Sequence, residues 1–301
     1  MTVISIPSAR HLDPGLSDVL RRIATACQNR GVPYLLTGAM AREILLVQVH
    51  GLPPGRATRD VDFGVLVDTW ESFETLKASL VATGDFASDP GVQHRLHTVP
   101  GRIDLKMPVD IVPFGGVETP SGTVSWPPNG DVVMDVRGYE AAYYHAIQVE
   151  VRQGLVIPLP TAQGIAVMKI LAWKDRGSAT QGRDAIDFVE ILERAEDIIG
   201  LDALYDEHMQ LVEAMGGDLR LAAAGALGGM ARLTTGSNLS EELAGILTNG
   251  LLTTLVPQAL RGRGTELSTG GYEVIEGIVN AFILGLQGKS GRAPGSSTGG
   301  A

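Results

Sequence analysis

The stretch RATRDVDFGV (56–65) carries the pattern with the clearest chemical meaning in the chain. Alternate side chains of a strand share a face, so Asp60 and Asp62 are expected to point one way, while Val61 and Phe63 point the other way into a core. Two neighbouring carboxylates repel each other unless something positive lies between them. A divalent metal meets that need, and Mg²⁺, with Mn²⁺ as its substitute, takes carboxylates together with substrate phosphates. The alternative is a solvent-facing pair at the rim of a sheet. A third acid, Asp110, sits in VDIVPFG (109–115), with Val109 and Ile111 turned to the opposite face. Three carboxylates on neighbouring strands could hold two ions. Asp104, at even spacing from Asp110 in the same expected strand region, competes for the third place.

Two further segments could serve phosphates. LLTGAMAREILL (35–46) reads as strand, tight turn and helix. Gly38 would let the backbone approach a ligand closely, and the new helix would present free N–H groups to an anion; an ordinary turn glycine is the other reading. In AVMKILAWKDRGSATQGRDAIDFVEIL (166–192), Lys169 and Arg176 share a helical face at i and i+7, with Trp173 beside them and Arg183 close by. Such a stripe could bind a triphosphate. Its alternative is a solvated face on which Asp184 and Asp187 pair with nearby bases.

The elements that must position these residues fall into three blocks. Up to 158, helix and strand patterns alternate, the signature of an α/β core. Helices are expected over 16–30, from the Gly38 turn to 46, and over 70–80, the last opened by a capping box of Asp68 and Glu71. Strands are expected at 32–36, 60–67, 92–99 and 103–114. From 159 to 287 the pattern is helical: 161–175, 184–195, 201–214, 218–233, 239–256 and 272–286. The small residues of LAAAGALGGMA imply close helix–helix packing. The last block, 288–301, is Gly/Ser-rich and reads as a flexible tail.

Composition narrows the function classes. At about 150 residues per domain, 301 residues imply two domains, and 44% hydrophobic with 19% charged residues is ordinary for a globular chain. No uninterrupted apolar run approaches the length of a membrane helix, about 18 residues, and the N-terminus lacks a signal-peptide profile. Cys27 is the single cysteine, which makes the cytoplasm the expected compartment. A net charge of −10 argues against coating nucleic acid non-specifically, though not against a local basic groove. GKS at 288–290 has the ending of a P-loop, but that motif needs glycine where Ile283 stands. His94 and His97 would face opposite sides of a strand and so make no zinc pair. Trp70, Trp126 and Trp173 are too scattered for a base-stacking platform. Cys27 reads as a small buried hydrophobe.

Taken together, Leu36-Thr37-Gly38-Ala39, then Asp60-Val61-Asp62, then Asp110 resemble the nucleotidyltransferase superfamily that includes DNA polymerase β. The 166–192 segment is similar to the K-x-x-A-x-x-x-R…R/K-D-x-x-D segment of the AbiEii-type toxin nucleotidyltransferases. The likeness runs over about 30–195. It implies a polymerase β-like α/β core with a mixed sheet, followed by a helical domain. It also implies metal binding by Asp60, Asp62 and Asp110, with Lys169 and Asp184 joining these acids as catalytic groups. Nucleotide contacts would come from Thr37, Gly38, Ala39, Arg42, Thr58, Lys169 and Arg176. The implied activity is Mg²⁺-dependent transfer of NMP from an NTP, with release of pyrophosphate, onto RNA such as the 3′ end of a tRNA; the chain would be a toxin with an antitoxin partner. Two departures stand out. Ala39 replaces the usual Gly or Ser, leaving Thr37 or Thr58 to supply a hydroxyl, and Arg59 precedes Asp60 where a hydrophobic residue is usual. A protein or small-molecule acceptor such as an antibiotic, or a catalytically silent nucleotide-sensing module, are the alternatives.

Overall fold

The computed structural model describes residues 3–55, 58, 60–177, 179–261 and 269–289. The chain divides into two compact units, Met1–Thr161 and Ala162–Ala301.

In the first unit the strands are β1 (Val3–Ser5), β2 (Tyr34–Thr37), β3 (Val61–Val67), β4 (Phe86–Ser88), β5 (Arg95–Thr98), β6 (Pro108–Gly115), β7 (Thr123–Ser125), β8 (Val133–Asp135), β9 (Ile147–Arg152) and β10 (Leu155–Leu159). The helices are α1 (Pro14–Asn29), α2 (Gly38–Glu43), α3 (Trp70–Ala82) and α4 (Tyr139–Tyr144). The central sheet has the order β2-β3-β6-β5-β4. Within it β3 and β6 are parallel, and the other neighbours are antiparallel. Two small sheets, β1-β9-β10 and β7-β8, stand beside it.

Alternation decides which way the central strands face. Val61, Phe63, Val65 and Val67 are all buried, in one core with Val19, Leu20, Ile23 and Cys27 of α1 and Phe73, Leu76 and Leu80 of α3. Each large apolar side chain so enclosed contributes about 1.5–3 kcal/mol. Asp13 caps α1 by accepting from the N–H groups of Gly15 and Leu16, and Pro14 occupies the first turn, where no hydrogen bond is lost. The cap of α3 is Thr69, whose hydroxyl accepts from the Ser72 N–H at 3.2 Å. The expected Asp68/Glu71 box is therefore displaced by one residue, because the first helical residue is Trp70.

The opposite face of the central sheet is packed at one end by α4. Tyr139 and Tyr143 of α4 pack on Phe114, with ring centroids 5.7 and 6.3 Å away. Tyr139 lies so close to β3 that a Cβ on Gly64 would come within 2.8 Å of its ring. Asp62 and Asp110 occupy the other end of the same face.

Asp104 is not on the strand with Asp110. The chain turns at Val99–Ile103, where the Val99 carbonyl accepts from Arg102 and Ile103 at 3.1 and 3.2 Å. Thr98 then pins the returning chain by donating to the Leu105 carbonyl at 2.6 Å and accepting from Met107 N–H at 3.0 Å. This turn splits the expected 103–114 strand, so β6 begins at Pro108 and Asp104 is left exposed in a bend.

The second unit is helical: α5 (Ala162–Arg176), α6 (Arg183–Glu193), α7 (Ala195–Ile199), α8 (Leu201–Asp206), α9 (Met209–Ala214), α10 (Leu219–Gly250), α11 (Val256–Arg261) and α12 (Thr269–Leu286). The helix expected over 201–214 is two short ones, α8 and α9. The helices expected at 218–233 and 239–256 meet at a kink within α10, where Gly236 (φ 79°, ψ 171°) is non-helical and divides the span into two helices. Among the described residues, one helical stretch, Leu219–Arg261, is apolar and long enough to cross a membrane. Small residues bring α10 against α12, as their run implied: a Cβ on Gly228 would stand 2.2 Å from the Phe282 carbonyl oxygen, and one on Gly285 would stand 2.1 Å from that of Gly225. The expected tail lies outside the described residues beyond Lys289.

Candidate active site

Strand pairing aligns four residues across the sheet: Thr37 on β2 opposes Asp62 on β3, Asp62 opposes Asp110 on β6, and Asp110 opposes Arg95 on β5. Directly paired residues share a face, so this row is a single polar line at the end of the face away from α4. The hydrophobic neighbours of each member point into the core and fix the orientation of the line.

Gly38 completes one end of the row. Its φ is +68°, and a Cβ there would lie 1.9 Å from Asp62 Oδ2. Glycine is thus required twice, by the left-handed backbone and by the carboxylate against it. Thr37 is buried and donates from its hydroxyl to the Asp62 carbonyl at 3.2 Å, tying the turn to β3. Ala39 is buried at the start of α2. Arg42, expected to reach a nucleotide, is 2% exposed and presents no guanidinium at a surface. Asp60 lies one residue before β3, where its carboxylate accepts from the Thr58 hydroxyl.

Arg95 was not singled out by sequence, and it is the strongest partner in the row. Its Nε and Nη2 donate to Asp110 Oδ1 and Oδ2, each at 2.7 Å, the bidentate fork that makes Arg–carboxylate pairs strong. That bonding, reinforced by the charges of Asp110, Asp89 and Asp60 against a smaller cost of burial, raises the Arg95 pKa further above its ordinary value. His94 Nε2 lies 3.9 Å from Asp110 Oδ2, and its ring packs on Trp126 at 5.3 Å. His97 goes elsewhere, to Asp89 Oδ2 at 2.7 Å, so the two histidines form no pair. Trp70 and Trp126 do meet, at 5.3 Å, but Trp126 is buried and the contact is core packing rather than a platform.

In donor chemistry the row suits a hard divalent cation: carboxylates on adjacent strands in register, with no thiolate or paired imidazoles. Among the described residues no group of three His, Cys, Asp or Glu is already assembled for a metal. Arg95 engages both oxygens of Asp110, and Thr58 engages Asp60.

The second unit holds the other expected site residues. Lys169 Nζ is 3.0 Å from Asp184 Oδ1 and 2.7 Å from Asp187 Oδ2. These side chains are 11%, 4% and 0% exposed. Arg176, with a side chain 55% exposed, reaches Asp184 Oδ2 at 3.4 Å. Burial pushes the Asp184 pKa up, but Lys169 and Arg176 outweigh it and hold the carboxyl below its usual range. The pairing of Asp184 and Asp187 with nearby bases is thus present, yet it is enclosed instead of solvated. Trp173 is buried beside it, donating from Nε1 to Gln258 Oε1 at 2.7 Å.

Comparison with known proteins gives the same class. The family described as "Nucleotidyl transferase AbiEii toxin, Type IV TA system" matches residues 21–246. No curated protein matches the chain significantly. Among solved structures, an antigenic nucleotidyltransferase-like protein from Paracoccidioides brasiliensis is 18% identical over 72% of this chain and 94% of its own, with a TM-score of 0.41. The antibiotic-resistance factor ANT(2'')-Ia is 13% identical over 67% of this chain and 97% of its own (TM-score 0.36). The Thermotoga maritima CCA-adding enzyme, solved with tRNA, is 11% identical over 93% and 82% (TM-score 0.25).

Proposed function

Because the chain belongs to the AbiEii nucleotidyltransferase family, we propose that it moves NMP from an NTP onto an RNA acceptor, the 3′ end of a tRNA, as the toxin of a toxin–antitoxin pair. The acceptor hydroxyl oxygen attacks the α-phosphorus, the bond to the β-phosphate oxygen breaks, pyrophosphate leaves, and the hydroxyl proton passes to a base. The observation that carries the reading is the aligned row of Thr37, Asp62 and Asp110, with the Gly38 backbone closed against Asp62.

Asp60, Asp62 and Asp110 would hold Mg²⁺ or Mn²⁺, which when bound supplies charge neutralisation and alignment at the phosphates. The residues themselves do the positioning. Gly38 permits an approach that any side chain would block, and Thr37 ties that turn to the acid strand. The closed α4 end restricts ligands to the acid end. Catalysis of this kind is mostly positioning and electrostatic stabilisation. The cluster of Lys169, Asp184 and Asp187 is internally paired, so in the described state its charge is largely spent inside its own unit.

The test is label transfer from each α-labelled NTP, with Mg²⁺, to total tRNA and to cell lysate, alongside the Asp60→Asn/Asp62→Asn variant. Label on RNA that needs the intact carboxylates supports the reading and names the nucleotide. Label on protein replaces the acceptor. No label on any acceptor sinks the proposal.

A further inference from the structure

The aligned row ends on a cation that no motif supplies. Arg95 uses two of its donors on Asp110, at 2.7 Å each, although Asp110 is the acid that three-carboxylate chemistry needs free. We propose that Arg95 is a placeholder cation: it holds Asp110 while the site is empty, then releases it to the divalent metal when the phosphates of an incoming nucleotide take over the guanidinium. This rests on the nucleotidyltransferase reading above and deepens it, because it makes metal and nucleotide binding at the same row interdependent.

Three observations favour this over a strut that merely joins β5 to β6. First, the strands are already joined by backbone pairing, including Ile111 N–H to the His94 carbonyl at 2.8 Å. Second, the pair is asymmetric in exposure: the Arg95 side chain is 32% exposed while that of Asp110 is 10% exposed. The guanidinium therefore forms the lid of the carboxylate and is the half that an arriving ligand meets. Third, Arg95 lies on the acid face, within the field of Asp60 as well as Asp110. Removing it would uncover both Asp110 oxygens, which is what a metal at this row needs.

The chemistry of exchange is balanced without any covalent step. A planar guanidinium fits a phosphate's oxygens as well as a carboxylate's, and hard divalent ions prefer carboxylate and phosphate oxygen together. Before exchange, one Arg–carboxylate pair exists and the metal is hydrated. Afterwards Arg95 pairs with phosphate and Asp110 with metal. By linkage, if nucleotide strengthens metal binding, metal strengthens nucleotide binding by the same factor.

Mn²⁺ binding, read by electron paramagnetic resonance without any nucleotide, tests this directly. Arg95→Gln is expected to bind Mn²⁺ about tenfold more tightly than the wild type, within the usual range of site-to-site coupling. Adding Asp110→Asn to each should cost the Arg95→Gln protein far more affinity than the wild type, where Asp110 is already occupied. Equal or weaker binding by Arg95→Gln overturns the proposal and leaves the pair as a strut. Should Arg95→Gln fail to fold, Arg95→Lys serves. A single ammonium cannot cover both oxygens, so its affinity should lie above the wild type's, and an unchanged value overturns the proposal. Tight Mn²⁺ binding by the variant without label transfer by the wild type would sink the transfer reading and spare the placeholder. Absence of binding in every protein would sink both.

Discussion

Replacing Gly38 with alanine separates two strains that the structure superimposes. The first is backbone: φ is +68°, and a left-handed residue with a Cβ costs about 1–2 kcal/mol. The second is contact: the new Cβ would lie 1.9 Å from Asp62 Oδ2 and 2.7 Å from its Cγ, so the carboxylate must leave its rotamer, at about 0.5–1.5 kcal/mol. The sum is about 1.5–3.5 kcal/mol, a fall in melting temperature of roughly 3–14 °C for a body of this size. Gly31 provides the control, since its φ is +64° with nothing within 4 Å of the added Cβ. Gly31→Ala should therefore show the backbone cost alone. Urea unfolding of both variants, repeated in an Asp62→Ala background, makes the comparison a double-mutant cycle. In that background only the 3.0 Å approach to the residue-62 Cβ is left, so most of the excess of Gly38→Ala over Gly31→Ala should disappear. Equal costs in the wild-type background, or no relief on removing the Asp62 carboxylate, would refute the claim that Gly38 is reserved for Asp62. The same variant should lose label transfer even where it is folded, because the displaced carboxylate no longer stands in the row.

Four other outcomes are expected. Gly285→Ala, whose Cβ would stand 2.1 Å from the Gly225 carbonyl and 2.6 Å from the Gly229 nitrogen, should force the helices α10 and α12 apart and destabilise by about 1–3 kcal/mol or more, as overpacking does; calorimetry reads it. Lys169→Met takes the shared ammonium from two enclosed carboxylates and should cost about 3–5 kcal/mol, whereas adding Asp184→Asn and Asp187→Asn should restore part of that loss in urea melts. Since Lys169 and Arg176 hold the folded Asp184 pKa below its unfolded value, its contribution to stability is complete above about pH 4 and disappears as pH falls through the lowered value; Asp184→Asn should lack that segment of the stability profile. Cys27 is buried and its pKa is pushed up to about 12 by burial, so thiol reagents should label it only at the rate of unfolding.

What was legible in the sequence follows a physical divide between local and long-range order. Val61-Asp62-Phe63 and Val109-Asp110-Ile111 each state their own two faces, so the acid strands could be read from alternation alone. The Gly38 turn was equally legible, because its meaning is in its own backbone. Arg95 was not, since its significance comes from opposing Asp110 across a strand boundary, and register is set by the whole sheet. The turn at Val99–Ile103 escaped for a similar reason: Thr98 reaches forward to Leu105 and Met107, and nothing in the local run of residues announces it. Lys169 was read as facing phosphate, and Asp184 as a catalytic group or as a partner of nearby bases; the structure pairs the two with each other. The break in α10 at Gly236 was legible too, since it falls between the helices expected at 218–233 and 239–256.

The contact between Tyr139 and Gly64 has a consequence for direction. Parallel strands β3 and β6 both run from their acids toward the tyrosines, so the two ends of this face differ in kind, one polar and one closed by rings. Within the N-terminal unit, a triphosphate anchored at Asp62 and Asp110 would carry its bulk away from α4, because Tyr139 closes on Gly64 only two residues beyond Asp62.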